Sequence, residues 1–143
     1  MNALKQIEQL QPQEIEKRSF EIIGEELAAR GITLPKDQEM ITKRVIHTSA
    51  DFEYTKTLMY SKDAVRIAQD LICEGADIVT DTNMALAGIN KKALATFGGE
   101  AHCFMADPEV ARIAKERGTT RATVSMEMAA RIDKPVIFAV GNA

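Results

Sequence analysis

Tryptophan is absent, and phenylalanine and tyrosine bring the aromatic share to only 5%. That leaves little material for a base-stacking platform. A basic face is missing too, since a formal net charge of −3 has the wrong sign for bulk phosphate neutralisation. No apolar run approaches the ~20 residues of a membrane-spanning helix. The opening stretch from Met1 to Gln13 is polar and rich in Gln and Glu, unlike a secretory signal. Cysteine is scarce. Cys73 and Cys103 lie in apolar surroundings with no C-x-x-C or Cys/His spacing, which reads as two buried thiols in a reducing cytoplasm. Several catalytic fingerprints are also missing: no G-x-G-x-x-G after a strand, no G-x-x-x-x-G-K-[ST], no G-x-S-x-G elbow. Gly98-Gly99 is a loop without the rest of either phosphate fingerprint.

What is present is the composition of a globular protein, 45% hydrophobic and 27% charged, in 143 residues. That length suits one hydrophobic core and is short for two ordinary domains. Apolar spacing and punctuation predict a first helix from Pro12 to Arg30, stopped at Gly31, with Ile15, Ile22, Ile23 and Leu27 as its stripe. A second should start at Pro35, carry Met40, Ile41, Val45 and Ile46, and end between Thr48 and Asp51. Thr57 to Tyr60 reads as a short strand. Ser61 is expected to cap a third helix with Val65, Ala68, Leu71 and Ile72 on its buried face and Gly75 past its end.

From there strands and helices alternate. Ala76–Val79 is a buried strand, Thr82 or Asn83 opens a short helix closed by Gly88, and Asn90–Phe97 is a further helical piece. Ala101–Met105 is the next strand. Asp107-Pro108 starts a helix ending at Gly118, Thr119 or Thr120 caps one running to about Arg131, and Pro135–Val140 is a final strand. The pattern predicts an α/β domain with a largely parallel sheet. The chain stops at Gly141-Asn142-Ala143, immediately past an apolar strand, where the loops of a ligand site belong. This implies a single domain that is incomplete at its C-terminus, lacking the next helix and a further strand.

Three polar clusters, Thr80-Asp81-Thr82-Asn83, Thr119-Thr120-Arg121 and Gly141-Asn142, fall after strands or at helix starts. Each is an ordinary helix cap at least as readily as a ligand contact. His47, at the end of the second helix with Lys43 and Arg44 at i−4 and i−3, is a sharper candidate. An unperturbed imidazole titrates near ~6.5 and can give or take a proton at neutral pH. By residue type alone a surface or packed histidine remains the commoner outcome. His102, inside an apolar strand, reads as packed and hydrogen-bonded. Residue chemistry by itself ends at an α/β domain with a small-molecule site and a candidate histidine acid–base.

Five ordered blocks carry a more specific resemblance. They are E-K-R-S-F at Glu16–Phe20, R-V-I-H-T-S-A-D-F at Arg44–Phe52, D-T-N-M-A-L-A-G-I at Asp81–Ile89, G-T-T-R-A at Gly118–Ala122 and A-V-G-N-A at Ala139–Ala143. In this order they resemble the precorrin-8X (cobalt-precorrin-8) methylmutase family. The resemblance implies a flavodoxin-like three-layer α/β/α fold and a cytoplasmic homodimer with sites at the subunit interface. The reaction it implies moves one methyl group between adjacent ring carbons of a corrin precursor. It further implies His47 as proton donor and acceptor, and Ser19 and Arg121 lining the macrocycle site. Arg18, Thr82, Asn83, Thr120 and Asn142 are additional expected substrate contacts. No protein-held cofactor is implied, because a methyl shift along a conjugated system needs no nucleophile or redox centre; any cobalt belongs to the substrate. The competing expectation is a corrinoid-binding or carrier module that uses the same pocket without turnover.

Overall fold

Residues 12–141 are described in the computed structural model, and their packing falls into two units, one up to Val65 and one from Arg66. The first is helical: α1 (Pro12–Ala29), α2 (Lys36–Ser49) and a single turn, α3 (Tyr54–Thr57). Its core is Ile23, Leu27 and Ile46, with Phe20, Ile32, Leu34, Phe52 and Tyr54 packed around them. Ile23 and Leu27 stand four apart on α1, and Thr42 and Ile46 four apart on α2, so each helix buries one narrow line. The stripes expected from sequence are broader than the observed ones. Ile15, Ile22, Met40 and Ile41 are 53%, 49%, 60% and 41% exposed. Successive helical residues point about 100° apart, so Ile22 beside Ile23, and Ile41 beside Thr42, cannot share one contact surface. Thr42 is polar yet buried, and its hydroxyl is satisfied by Tyr60 Oη at 3.0 Å.

The strand expected at Thr57–Tyr60 does not form. Thr57 N and Leu58 N donate back to Glu53 O and Tyr54 O, each at 3.1 Å, closing a helical turn instead. Strand-prone side chains without a neighbouring strand have no ladder to join.

The second unit is the alternating one. It contains α4 (Ala64–Cys73), β1 (Asp77–Thr80), α5 (Asn83–Gly88), α6 (Lys91–Thr96), β2 (Ala101–His102), α7 (Pro108–Arg117), α8 (Arg121–Ala129) and β3 (Val136–Ala139). All pairings are parallel and the order is β2-β1-β3, with Ile78 opposite both Ala101 and Ile137. The path leaves β1 outward to β2, then returns past it to β3. With the right-handed crossovers that parallel strands adopt, connections in opposite directions place α5–α6 and α7–α8 on opposite faces, the layered α/β arrangement that the family resemblance implies.

Capping is local and follows the sequence closely. Thr82, Asn90, Asp107 and Thr120 each accept from a backbone N–H in the first turn of the following helix, and α7 closes on Gly118. A second core joins Val110, Ala114 and Val124, with Phe104, Ile113 and Met128 against them. Gly99 is obligatory at the entry to β2, because a Cβ there would lie 2.3 Å from Ala76 O and 2.9 Å from Leu94 Cδ1.

Two expectations need correction here. β2 ends at His102 rather than Met105, since Thr80 Oγ1 donates to His102 O at 3.3 Å where the β1 ladder runs out. Cys73 is exposed and Cys103 only half-buried. Leu71 and Ile72 are the half-buried pair at that end of α4, and Cys73 is turned a further 100° around. β3 is open on one face, as expected of a strand that lacks its next helix. Ile137 and Ala139 are half-buried, but Phe138, on the opposite face by the strand's period of two, is 51% exposed.

Candidate active site

His47 lies in the last turn of α2, with its side chain exposed rather than in the core. Its Nδ1 is 2.7 Å from Ser19 Oγ, a hydrogen bond between helices spanning 28 residues of sequence. Phe20, the next residue on α1, meets the imidazole edge-to-face at 5.7 Å between centroids and 87° between planes. Arg44 spreads its guanidinium 5.4 Å from the centre of the Phe20 ring and pairs with Glu16 at 2.5 Å. Four contacts therefore join α1 and α2 here, and two of them, from Ser19 and Phe20, fall on the imidazole itself. Nε2 has no hydrogen-bond partner among the described residues and is the nitrogen left for a ligand. Beside this cluster, Glu16, Phe20, Gly24, Met40, Lys43 and Arg44 line part of an open groove of about 740 Å³.

The cations one turn before His47 are ion-paired. Lys43 pairs with Glu39 at 2.6 Å and Arg44 with Glu16. Arg18 likewise lies 3.4 Å from Glu21 and 3.8 Å from Glu25. Arg121, the first residue of α8, is exposed and has no carboxylate within ion-pair distance among the described residues. A cation at that helix end is electrostatically misplaced, since the N-terminus favours anions. Thr120 beside it is spent on capping, accepting from Thr123 N at 3.1 Å.

In the second unit the C-terminal ends of β1 and β3 converge. Gly141 N donates to Asp81 Oδ1 at 2.7 Å, and a Cβ on Gly141 would sit 3.2 Å from Thr82 Oγ1. Thr82 caps α5 and Asn83 is its exposed first residue. Asn142 lies outside the described residues. Near the opposite end of β1, Asp77 is buried and bonds to Lys134 Nζ at 2.8 Å, His102 Nε2 at 2.9 Å and Glu100 N at 2.8 Å. Burial pushes its carboxyl up, but Lys134, the Glu100 amide and His102 outweigh that and hold it below its ordinary value of 3.8. This explains His102 as a packed, hydrogen-bonded residue, with Phe104 stacked at 5.8 Å. No group of three or more His, Cys, Asp or Glu suited to a metal occurs among the described residues.

A sequence profile described as precorrin-8X methylmutase matches residues 14–143. The chain belongs to the precorrin-8X methylmutase family. Among curated relatives, a cobalt-precorrin-8 methylmutase of Salmonella typhimurium is 44% identical, the match covering 93% of this chain and 65% of the relative. One from Priestia megaterium is 40% identical, covering 94% and 59%. The crystal structure of a precorrin-8X methylmutase from Thermus thermophilus superposes with a TM-score of 0.78 at 34% identity, covering 92% of this chain and 63% of that one. The chain thus spans about three fifths of the length of these relatives.

Of the residues expected in a methylmutase site, the first unit brings Ser19 and His47 into direct contact and leaves Arg18 engaged with Glu21 and Glu25. The second unit carries Thr82, Asn83, Thr120 and Arg121 at helix starts. Sequence reasoning missed Phe20 as the imidazole's neighbour and Glu16 as the partner of Arg44. Both lie inside the E-K-R-S-F block, but nothing local in α1 says which residue of α2 they will meet. Asp77 was missed too, having been read simply as part of an apolar strand.

Proposed function

We propose that this chain catalyses the methylmutase reaction of its family. It would move a methyl group between adjacent ring carbons of precorrin-8X or cobalt-precorrin-8, giving hydrogenobyrinic or cobyrinic acid in cobalamin biosynthesis. The observation that carries this reading is His47, an exposed imidazole with Nδ1 engaged, its ring gripped by α1 and Nε2 open. A methyl migration on a conjugated macrocycle needs the ring held in one geometry and a proton placed to bias its electrons. A single positioned acid–base group typically contributes ~10²–10⁴ in rate. The corrinoid carries several acetate and propionate carboxylates, which gives the exposed guanidinium of Arg121 a natural partner. Arg18, Thr82, Asn83, Thr120 and Asn142 complete the proposed substrate contacts, and Ser19 lines the site through its bond to His47. The enzyme works without a resident cofactor, in the cytoplasm, as a homodimer with its sites at the subunit interface.

The test is incubation of the purified protein with the precursor, followed by the absorbance change to the corrin chromophore. His47→Asn should lower turnover by about 10²-fold or more, with corrinoid affinity kept within an order of magnitude. Turnover by this variant at near the wild-type rate would refute the proton-transfer role. Binding of the precursor with no chromophore change in the wild type would instead mark a carrier. Arg121→Ala should weaken affinity more than Lys92→Ala, a comparison at an exposed lysine with no side-chain bond among the described residues. Lys91 is unsuitable for that comparison, because its ammonium donates to Leu86 O at 2.7 Å.

A further inference from the structure

We infer that Ser19 is a positioning residue for His47: its hydroxyl accepts a hydrogen bond from Nδ1–H, fixes that proton in place and leaves the lone pair on Nε2. The inference rests on the proposed acid–base role of His47 and names how the ring is prepared for it. The 2.7 Å separation is that of a strong hydrogen bond between two side chains. The choice of partner is informative. Hydroxyl side chains within helices commonly fold back onto a carbonyl one turn earlier, as Thr48 and Ser49 do on α2, at 3.0 Å to Arg44 O and 2.8 Å to Val45 O. Ser19, in the body of α1, makes no such bond and reaches across to the imidazole.

The direction of the bond follows from what Nε2 must do. A neutral imidazole has one N–H and one lone pair, and the partner of one nitrogen sets the state of the other. Only Nε2 lacks a partner among the described residues. For it to take a proton and hand it back, Nδ1 has to keep its own proton in both halves of the cycle. An oxygen acceptor at Nδ1 arranges that. Ser19 is only half-buried, so its own O–H remains free to meet water while the oxygen accepts. A carboxylate in its place would attract the imidazolium strongly and resist proton release. A hydroxyl orients the ring while perturbing its charge state less. The Phe20 edge contact fixes the remaining freedom of the ring plane.

The experiment reads the tautomer directly. Long-range nitrogen–proton NMR correlations of the His47 ring are recorded in the ligand-free protein at a pH where the ring is neutral. The wild type should show the proton on Nδ1. Ser19→Ala should move the population toward the Nε2–H form that unrestrained imidazole prefers in water, and Ser19→Thr, which keeps the hydroxyl, should restore the wild-type pattern. In turnover, Ser19→Ala should lose roughly tenfold to a hundredfold in kcat, the size of effect carried by partners that orient ligating histidines, with KM little changed. Circular dichroism of both variants separates this from a loss of folding, and Ser19→Thr supplies the same reading in a chain with its hydroxyl intact. A wild-type ring carrying its proton on Nε2 would overturn the inference. So would a Ser19→Ala variant that loses affinity while keeping kcat, since Ser19 would then be a ligand contact. The tautomer arm needs no substrate. Normal turnover by His47→Asn would therefore sink the catalytic reading alone, and the NMR result would still decide the contact.

Discussion

The two units hold their polar side chains by different means. Up to Val65, the hydroxyl, imidazole and guanidinium of Ser19, His47 and Arg44 are placed by partners on the other helix of the pair, 28 residues away in each case for His47 and Arg44. From Arg66 onward, most polar groups at the sheet's C-terminal edge and the helix starts are held by their own neighbours. Thr82 serves Ala85 N, Asn90 serves Ala93 N and Thr120 serves Thr123 N, each three residues along. Long-range holding leaves a ring nitrogen open for chemistry. Local holding uses up the side chain in building the helix. One buried exception in the second unit is Asp77, whose partners lie 23 to 57 residues away and which is occupied with joining strands.

Removing that exception should have the largest effect. Asp77→Ala takes away a buried carboxylate and orphans the Glu100 amide, and Lys134, about a third exposed, can partly rehydrate. The expected loss is therefore near the lower end for broken buried pairs, about 3 kcal/mol by urea unfolding. The pH dependence sharpens the point. The folded carboxyl sits below its ordinary value of 3.8, so its stabilisation is fully present above that value and drains away as pH falls through the lower folded one. The difference between wild type and Asp77→Ala should be constant near neutrality and shrink below about pH 4. A gap that persists unchanged into acid would mean packing, not charge, is what Asp77 supplies.

A smaller effect is expected at a local cap. Thr120→Ala removes one N-cap of α8 and should cost about 1 kcal/mol. A much larger loss would show that Thr120 serves more than its own helix. The smallest lies in the first unit, where Ile15→Ser should change stability by less than about 0.5 kcal/mol, because Ile15 is half exposed and outside the core. A substantial loss there would restore the wider stripe expected from periodicity.

Legibility in the sequence follows the same division. Caps, glycine stops and the alternation of strands with helices are encoded within four or five residues, and α5 to α8 appear within a residue or two of where those signals put them. The strand expected at Thr57–Tyr60 and the far end of the expected Ala101–Met105 strand failed because a strand exists only by pairing: the first finds no neighbour and the second pairs only as far as His102. The site was legible in its residue types, with His47 and Ser19 both marked by the family resemblance. Their bond was not, since the register of α1 against α2 depends on how Ile23, Leu27 and Ile46 pack. Asp77 shows the limit from the other side. One carboxylate inside Ala76–Val79 reads as part of a buried strand until Lys134 is brought beside it.

The placement of β1 has a consequence for the order of assembly. It is the middle strand, yet the chain makes it first, its last residue 22 before His102 and with β3 not complete until Ala139. During synthesis its inner flank stays without a ladder for the time needed to add some sixty residues, on the order of 3–12 s at ~5–20 residues per second. Helices α1 and α2, joined by a short connection, face no such delay. Nascent chains of this protein are thus expected to spend seconds with a paired helical half and an unpaired, strand-prone half, the interval in which a chaperone has most to do.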